Sequence, residues 1–222
     1  GVRGLFYRGY GGSNSNEIDY INIASTGNSI DFGNALSTNR QAGATGSSTR
    51  AVAVGRDSPN NTIEFVEFAS TGNAQDFADA TANRAGSPAA MSNGTRGVFA
   101  GGYAGPSITN LVEYITIASE GVNAQDFGDL TVARSEPIGI DYITIATTGN
   151  AQDFGDASTT INSVRGSASS TRMVFNLGYN GSAYVNSIEY VEIMTEGNSV
   201  DFGDLQSARG QAAGCSNGHG GL

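Results

Sequence analysis

The stretch Gly149-Asn150-Ala151-Gln152-Asp153-Phe154-Gly155-Asp156 decides the fold, because the chain writes it five times. The other copies are Gly27-Asn28-Ser29-Ile30-Asp31-Phe32-Gly33-Asn34, Gly72-Asn73-Ala74-Gln75-Asp76-Phe77-Ala78-Asp79, Asn123-Ala124-Gln125-Asp126-Phe127-Gly128-Asp129 and Gly197-Asn198-Ser199-Val200-Asp201-Phe202-Gly203-Asp204. Their Asp-Phe pairs begin at residues 31, 76, 126, 153 and 201, spaced by 45, 50, 27 and 48 residues. A period of this size marks a repeat architecture, in which each unit buries its apolar surface only against a neighbour.

Just upstream of every copy lies an alternating run: Ile18-Asp19-Tyr20-Ile21, Ile63-Glu64-Phe65-Val66, Val112-Glu113-Tyr114-Ile115, Ile140-Asp141-Tyr142-Ile143 and Ile188-Glu189-Tyr190-Val191. Period-2 alternation rich in β-branched and aromatic residues predicts a half-buried strand. An acidic residue precedes the aromatic in all five. Further upstream stands an apolar strand opened by Arg3, Arg50, Arg96 or Arg172. A second arginine follows the Asp-Phe strand, at Arg40, Arg84, Arg134 and Arg209, with Arg165 displaced by a few residues. After it comes a strand of small residues, such as Ser87-Pro88-Ala89-Ala90-Met91-Ser92 or Gln211-Ala212-Ala213-Gly214-Cys215-Ser216.

One repeat therefore contains four strands in about 45 residues, the make-up of a propeller blade. The expected fold is all-β: a five-bladed β-propeller of four-stranded antiparallel blades, forming a single domain over 1–222. The blades are 41–84, 85–134, 135–165 and 166–209, with 210–222 joining 1–40 to close the ring through the N- and C-terminal strands. Such closure removes exposed strand edges. Small side chains suit the innermost strand, where the blades crowd together. Phe32, Phe77, Phe127, Phe154 and Phe202 are expected to be buried between blades. The 135–165 copy lacks roughly 20 residues of the repeat between Pro137 and Ile138, equivalent to its two inner strands. The sequence predicts a break there, with the two Cα atoms standing well beyond the roughly 3.8 Å of a trans peptide.

Composition narrows the partners. The net charge is −10, which argues against nucleic acid and anionic membrane surfaces. No apolar run approaches the length of a membrane span, so no membrane insertion is expected. All 11 basic side chains are arginine, and nine fall at or near the two repeated positions. That bias points to sites needing a planar, forked donor, and so to a structural role bridging neighbouring blades. One Cys and one His, Cys215 and His219, exclude a disulfide framework and a Cys/His zinc site within the chain. No GxxxxGK[ST] phosphate loop occurs. The carboxylate pairs Asp76/Asp79, Asp126/Asp129, Asp153/Asp156 and Asp201/Asp204 resemble calcium donors only in part; turn bonding and pairing with the repeated arginines account for them. No catalytic residue, metal or cofactor is expected.

The order Gly101-Gly102, Glu113-Tyr114, Phe127 and Arg134 resembles the kelch repeat, which has a double glycine, a Glu-Tyr, a Trp and an Arg. Phe replaces the Trp throughout, and Gly9-Tyr10, Gly55-Arg56 and Gly178-Tyr179 are reduced forms of the double glycine. The resemblance covers essentially the whole chain. Kelch-like copper radical oxidases need two His ligands, and sialidase Asp-boxes carry Trp; this chain has one His and no Trp. The wording of the repeat is also similar to that of repeat proteins in marine bacteriophage virions. Together these resemblances imply a non-catalytic component of a phage particle, a tail, fibre or surface part located in the extracellular virion and contacting other virion proteins or the host surface. The alternative is a secreted or cell-surface bacterial lectin, with Tyr10, Tyr103 and Tyr179 at equivalent strand ends available to stack on sugars.

Overall fold

Every long alternating run forms a strand, because its β-branched and aromatic side chains pack best on a pleated surface. The computed structural model describes all residues except 1, 11, 40–41, 56–59, 85–87, 105–106, 134–138, 160–164 and 211–222. The described residues are all-β, with antiparallel sheets of two to four strands and no helix. Two compact units emerge: Gly1–Ser135 with Ile143–Asn150, and Glu136–Tyr142 with Ala151–Leu222.

In the first unit, β1 (Arg3–Tyr10), β2 (Asn14–Asn22) and β3 (Ile30–Asn39) form a three-stranded meander. Next come β4 (Gly43–Gly46), β5 (Arg50–Val54), β6 (Asn60–Glu67) and β7 (Gln75–Arg84) in a four-stranded sheet. The third sheet comprises β8 (Ala89–Ser92), β9 (Arg96–Ala100), β12 (Leu111–Thr116) and β13 (Gln125–Asp129), with β10 (Tyr103–Ala104) and β11 (Ser107–Ile108) as a small arm between β9 and β12. The second unit holds the pair β14 (Gly139–Tyr142) and β15 (Gln152–Asp156). It also holds the sheet of β16 (Arg165–Ala168), β17 (Arg172–Asn176), β18 (Ser187–Glu192) and β19 (Val200–Asp204). The predicted order of small-residue, Arg-led, acidic-aromatic and Asp-Phe strands is the observed order in the three complete sheets. The short copy supplies only its last two strands among the described residues; Pro137 and Ile138, where a break was expected, lie outside them.

One acidic-aromatic strand, β6, departs from the expected half-burial. Ile63, Glu64, Phe65 and Val66 are all buried. Both faces of β6 are covered because, within the first unit, its sheet is flanked by another sheet on either side. One apolar cluster joins Phe32, Ile18 and Leu5 to Val66 and Ala74; the next joins Val52, Phe65 and Phe77 to Phe99, Ile115 and Ile117. In the second unit Phe154 packs with Phe175, Leu177 and Val191. The small-residue strands earn their composition by close approach: a Cβ on Gly43 of β4 would fall 2.5 Å from the Pro88 carbonyl oxygen.

Candidate functional site

The repeated octapeptide is two halves of one joint. In all five copies the ladder skips a residue at the Phe: Ile18 pairs with Gly33 and Asp19 with Asp31, and the same offset recurs at Ile63/Glu64, Val112/Glu113, Ile140/Asp141 and Ile188/Glu189. Phe is therefore the extra residue of a β-bulge, which re-aims its side chain and frees its backbone from the ladder. The Gly N–H of the following repeat donates to that freed carbonyl. Gly72 donates to Phe32 O, Gly121 to Phe77 O, Gly149 to Phe127 O and Gly197 to Phe154 O, each at 2.7 Å. The next Asn side chain completes the clasp by accepting a backbone N–H: Asn73 from Asn34, Asn123 from Asp79, Asn150 from Asp129 and Asn198 from Asp156, at 3.0–3.1 Å. Glycine after the Phe is required by proximity. A Cβ on Gly33, Gly128 or Gly155 would lie 2.3–2.5 Å from backbone atoms of the clasping glycine.

A second joint is built on the acid before the aromatic. Glu113 accepts from Arg84 Nε at 2.7 Å, from Thr81 N at 2.7 Å and from Thr81 Oγ1 at 2.6 Å. Arg84 and Glu113 side chains are both 0% exposed, and the Arg84 guanidinium also donates to the carbonyls of Gly101 and Leu111. Glu64 likewise accepts from Leu36 N at 2.8 Å and pairs with Arg8, while Glu189 accepts from Ser158 and Ser199. Gly101 and Gly102 both have positive φ, which turns the Gly101 carbonyl toward Arg84.

The leading arginines form a third joint. Arg3, Arg50 and Arg96 donate to the carbonyls of Phe68, Ile117 and Ile145, equivalent residues of the following repeat. Arg3, Arg50, Arg96 and Arg172 each lie over the ring of the aromatic in their own third strand, at 4.3–5.0 Å. Arg50 also pairs with Glu67 and Glu120, and Arg172 pairs with Glu192. A shallow groove of about 280 Å³ beside Arg50, lined by Ser47, Thr49, Glu67, Thr95 and Ile117, is thus already supplied with the anion that its guanidinium would attract.

Several expectations need correction. Turn bonding and partnering of the repeated arginines are expected of the Asp residues in the Asp-Phe strands, yet Arg50, Arg84 and Arg172 pair with Glu67, Glu120, Glu113 and Glu192. The reason is geometric: Asp76, Asp126, Asp153 and Asp201 point to solvent, and the backbone around them does the joining. Phe32, Phe77, Phe127 and Phe154 are buried as expected from the repeat, but Phe202 is 53% exposed, because no following sheet covers it among the described residues of its unit. Arg209 lies beyond β19 and donates to Ser207 O. Arg40, Arg134, Cys215 and His219 lie outside the described residues, as do the side chains of Arg165 and Tyr10. Tyr103 is exposed on the β10 arm, and Tyr179 sits edge-on to Tyr184 with centroids 5.4 Å apart.

The role of the acid before the aromatic is not evident from the sequence alone. The available signal was an acidic residue recurring in register within an otherwise apolar strand. Among the described residues no group of three or more His, Cys, Asp or Glu converges on a common point. No protein-family model matches the chain, and a comparison with curated proteins finds no match.

Proposed function

We propose that this chain is a five-bladed, kelch-like β-propeller serving as a non-catalytic structural and binding part of a phage particle, a tail, fibre or surface component that contacts the host or neighbouring virion proteins. The observation that carries this reading is where the repeated residues go. The Phe carbonyls, the Gly-Asn turns, the buried glutamates and the arginines Arg3, Arg50, Arg84 and Arg96 are occupied in joining one repeat to the next. That is the behaviour of a scaffold. The second support is the wording of the repeat, with its likeness to phage virion repeat proteins.

Counting the halves of the clasp supports ring closure. The Gly27-Asn28 turn and the Phe202-Gly203 strand are the two halves for which no clasp partner occurs among the described residues. Phe6 is 57% exposed, although its counterparts Ala53, Phe99 and Phe175 are buried against a preceding sheet. A ring needs one more joint of the same kind, and in this reading these halves would supply it. The strand this reading assigns to 210–222, the counterpart of β4, β8 and β16, lies, apart from residue 210, outside the described residues. Projection images of the purified protein with five equal lobes would support the ring; an open arc would overturn it.

A lectin is the second reading, favoured by the Tyr179–Tyr184 pair on the β17–β18 connection, with Tyr184 exposed. Mass spectrometry of purified phage particles separates the two. Peptides of this chain at structural-protein abundance support the virion part. Their absence from particles, combined with binding on a glycan array that Tyr184→Ala abolishes, favours the lectin.

A further inference from the structure

Four clasps join the repeats, and one of them is built differently on both sides at once. Where Gly33, Gly128, Gly155 and Gly203 follow the Phe in four copies, the second copy has Ala78. The turn that meets Ala78 is also the odd one out: Gly121-Val122-Asn123-Ala124 carries one residue more than Gly72-Asn73-Ala74, Gly149-Asn150-Ala151 or Gly197-Asn198-Ser199. The two departures face each other. Gly72, Gly149 and Gly197 have φ between +153° and +158°, whereas Gly121 has φ of +77°. Despite the extra residue, the clasp is intact: Gly121 N reaches Phe77 O at 2.7 Å, Ala124 N reaches Asp79 O at 2.8 Å, and Asp79 N reaches Asn123 Oδ1 at 3.1 Å. Val122 is looped outward and exposed.

We propose that Ala78 and the Val122-containing turn are a keyed junction that dictates which repeat can follow the second one. The argument is steric. At three other junctions the glycine after the Phe holds φ of +144° to +149°, where a methyl would sit 2.3–2.5 Å from backbone atoms of the clasping glycine, closer than carbon and backbone atoms can approach; Ala78 does not take a positive φ, so its strand presents a different backbone to the turn. Ala78 therefore rejects the short turns at 72–74, 149–151 and 197–199. It admits the turn whose added residue swings the Gly121 carbonyl aside. The key works in one direction, since a glycine strand has room for either turn. Near-identical repeats are prone to pair out of order or to exchange between copies of a chain. An exclusion at an internal junction fixes the order of the sheets on either side of it. This inference concerns the first unit alone and stands whether or not the chain belongs to a phage particle.

Four proteins test it: the parent, Ala78→Gly, deletion of Val122, and the two changes combined. The deletion restores the short turn against the Ala78 methyl, so its melting midpoint should fall by several degrees or the protein should be lost to aggregates. Ala78→Gly alone should shift the midpoint little. The combined variant should recover most of what the deletion lost. Equal losses from the deletion with and without Ala78→Gly would overturn the key. If neither deletion variant is soluble, the converse transplant decides: Gly128→Ala should lower the midpoint through backbone strain and the clash together, and inserting a valine between Gly149 and Asn150 should recover the part due to the clash. Failure of the insertion to recover that part would overturn the proposal as well.

Discussion

Phe77 and Phe202 hold the same place in two copies of one repeat, yet Phe77 is 1% exposed and Phe202 is 53% exposed. Their own sheets treat them alike. Each is the extra residue of a bulge, and each ring meets the aromatic of the neighbouring strand edge-on, Phe65 at 5.9 Å and Tyr190 at 6.0 Å. What differs is the next sheet. Phe77 is covered by Phe99, Ile115 and Ile117 of the third sheet, while nothing in the described part of its unit follows Phe202. The core of this protein therefore lies between repeats and not within them, as in other repeat architectures.

The sharpest way to probe that difference is to remove both rings. Phe77→Ala should cost about 3–5 kcal/mol, the usual loss for a buried Phe. If the ring closes as proposed, Phe202→Ala should cost nearly as much, read by chemical denaturation of both variants. A Phe202→Ala protein as stable as the parent would make β19 a free end and remove the fifth joint.

A weaker effect is expected at the arginines. Arg84 is sealed against Glu113 and two carbonyls, so Arg84→Lys leaves acceptors that a point ammonium cannot serve together. The loss should be about 1.5–3 kcal/mol. Arg172 is exposed and pairs with Glu192 on its own sheet, so Arg172→Lys should leave the unfolding midpoint near that of the parent. Equal losses at the two positions would mean that inter-repeat bridging is not what makes Arg84 matter.

Glycines give the next step down. Gly155 and Gly203 share a positive φ, +149° and +136°, so either Ala substitution meets backbone strain. Only at Gly155 would the new Cβ also strike the Gly197 carbonyl, at 2.3 Å. Gly155→Ala should cost about 1–3 kcal/mol from strain and overpacking. Gly203→Ala should match it only if a turn from the first repeat closes over that strand, and a clear gap between the two would count against closure.

Much of the strand order was legible, because alternation and the recurring octapeptide each carry period-2 and repeat-length information. The small residues of β4 and β8 likewise announced a tight approach. The use of the octapeptide was not legible. Asp-Phe-Gly-Asp reads as carboxylates on offer, whereas the structure uses the Phe carbonyl and the absent Cβ of the glycine. Backbone atoms leave no side-chain signature, and a bulge is not visible in a strand pattern until a partner register is known. Arg8 was missed for a related reason: it belongs to neither repeated arginine position, yet it pairs with buried Glu64.

The smallest expected effect sits beside that pair. Tyr7 occupies the place held by Val54 and Ala100 in the next two sheets, both buried and apolar. Its hydroxyl is buried with no hydrogen-bond partner among the described residues. Burial pushes its pKa well above the ordinary tyrosine value near 10, and the neighbouring Arg8 only partly opposes this. The ionised form is thus favoured in the unfolded chain. Stability from the neutral hydroxyl is complete below about pH 10 and is lost as pH rises from there toward the higher folded-state pKa. Tyr7→Phe keeps the ring in its cluster with Ile18 and Phe32 and removes the unpaired hydroxyl. The variant should gain roughly 1 kcal/mol at neutral pH. It should also lose less stability than the parent between about pH 10 and 12, measured by denaturant titration at each pH. A loss of stability at neutral pH would show that the hydroxyl has a partner and that the first sheet is completed differently from the second and third.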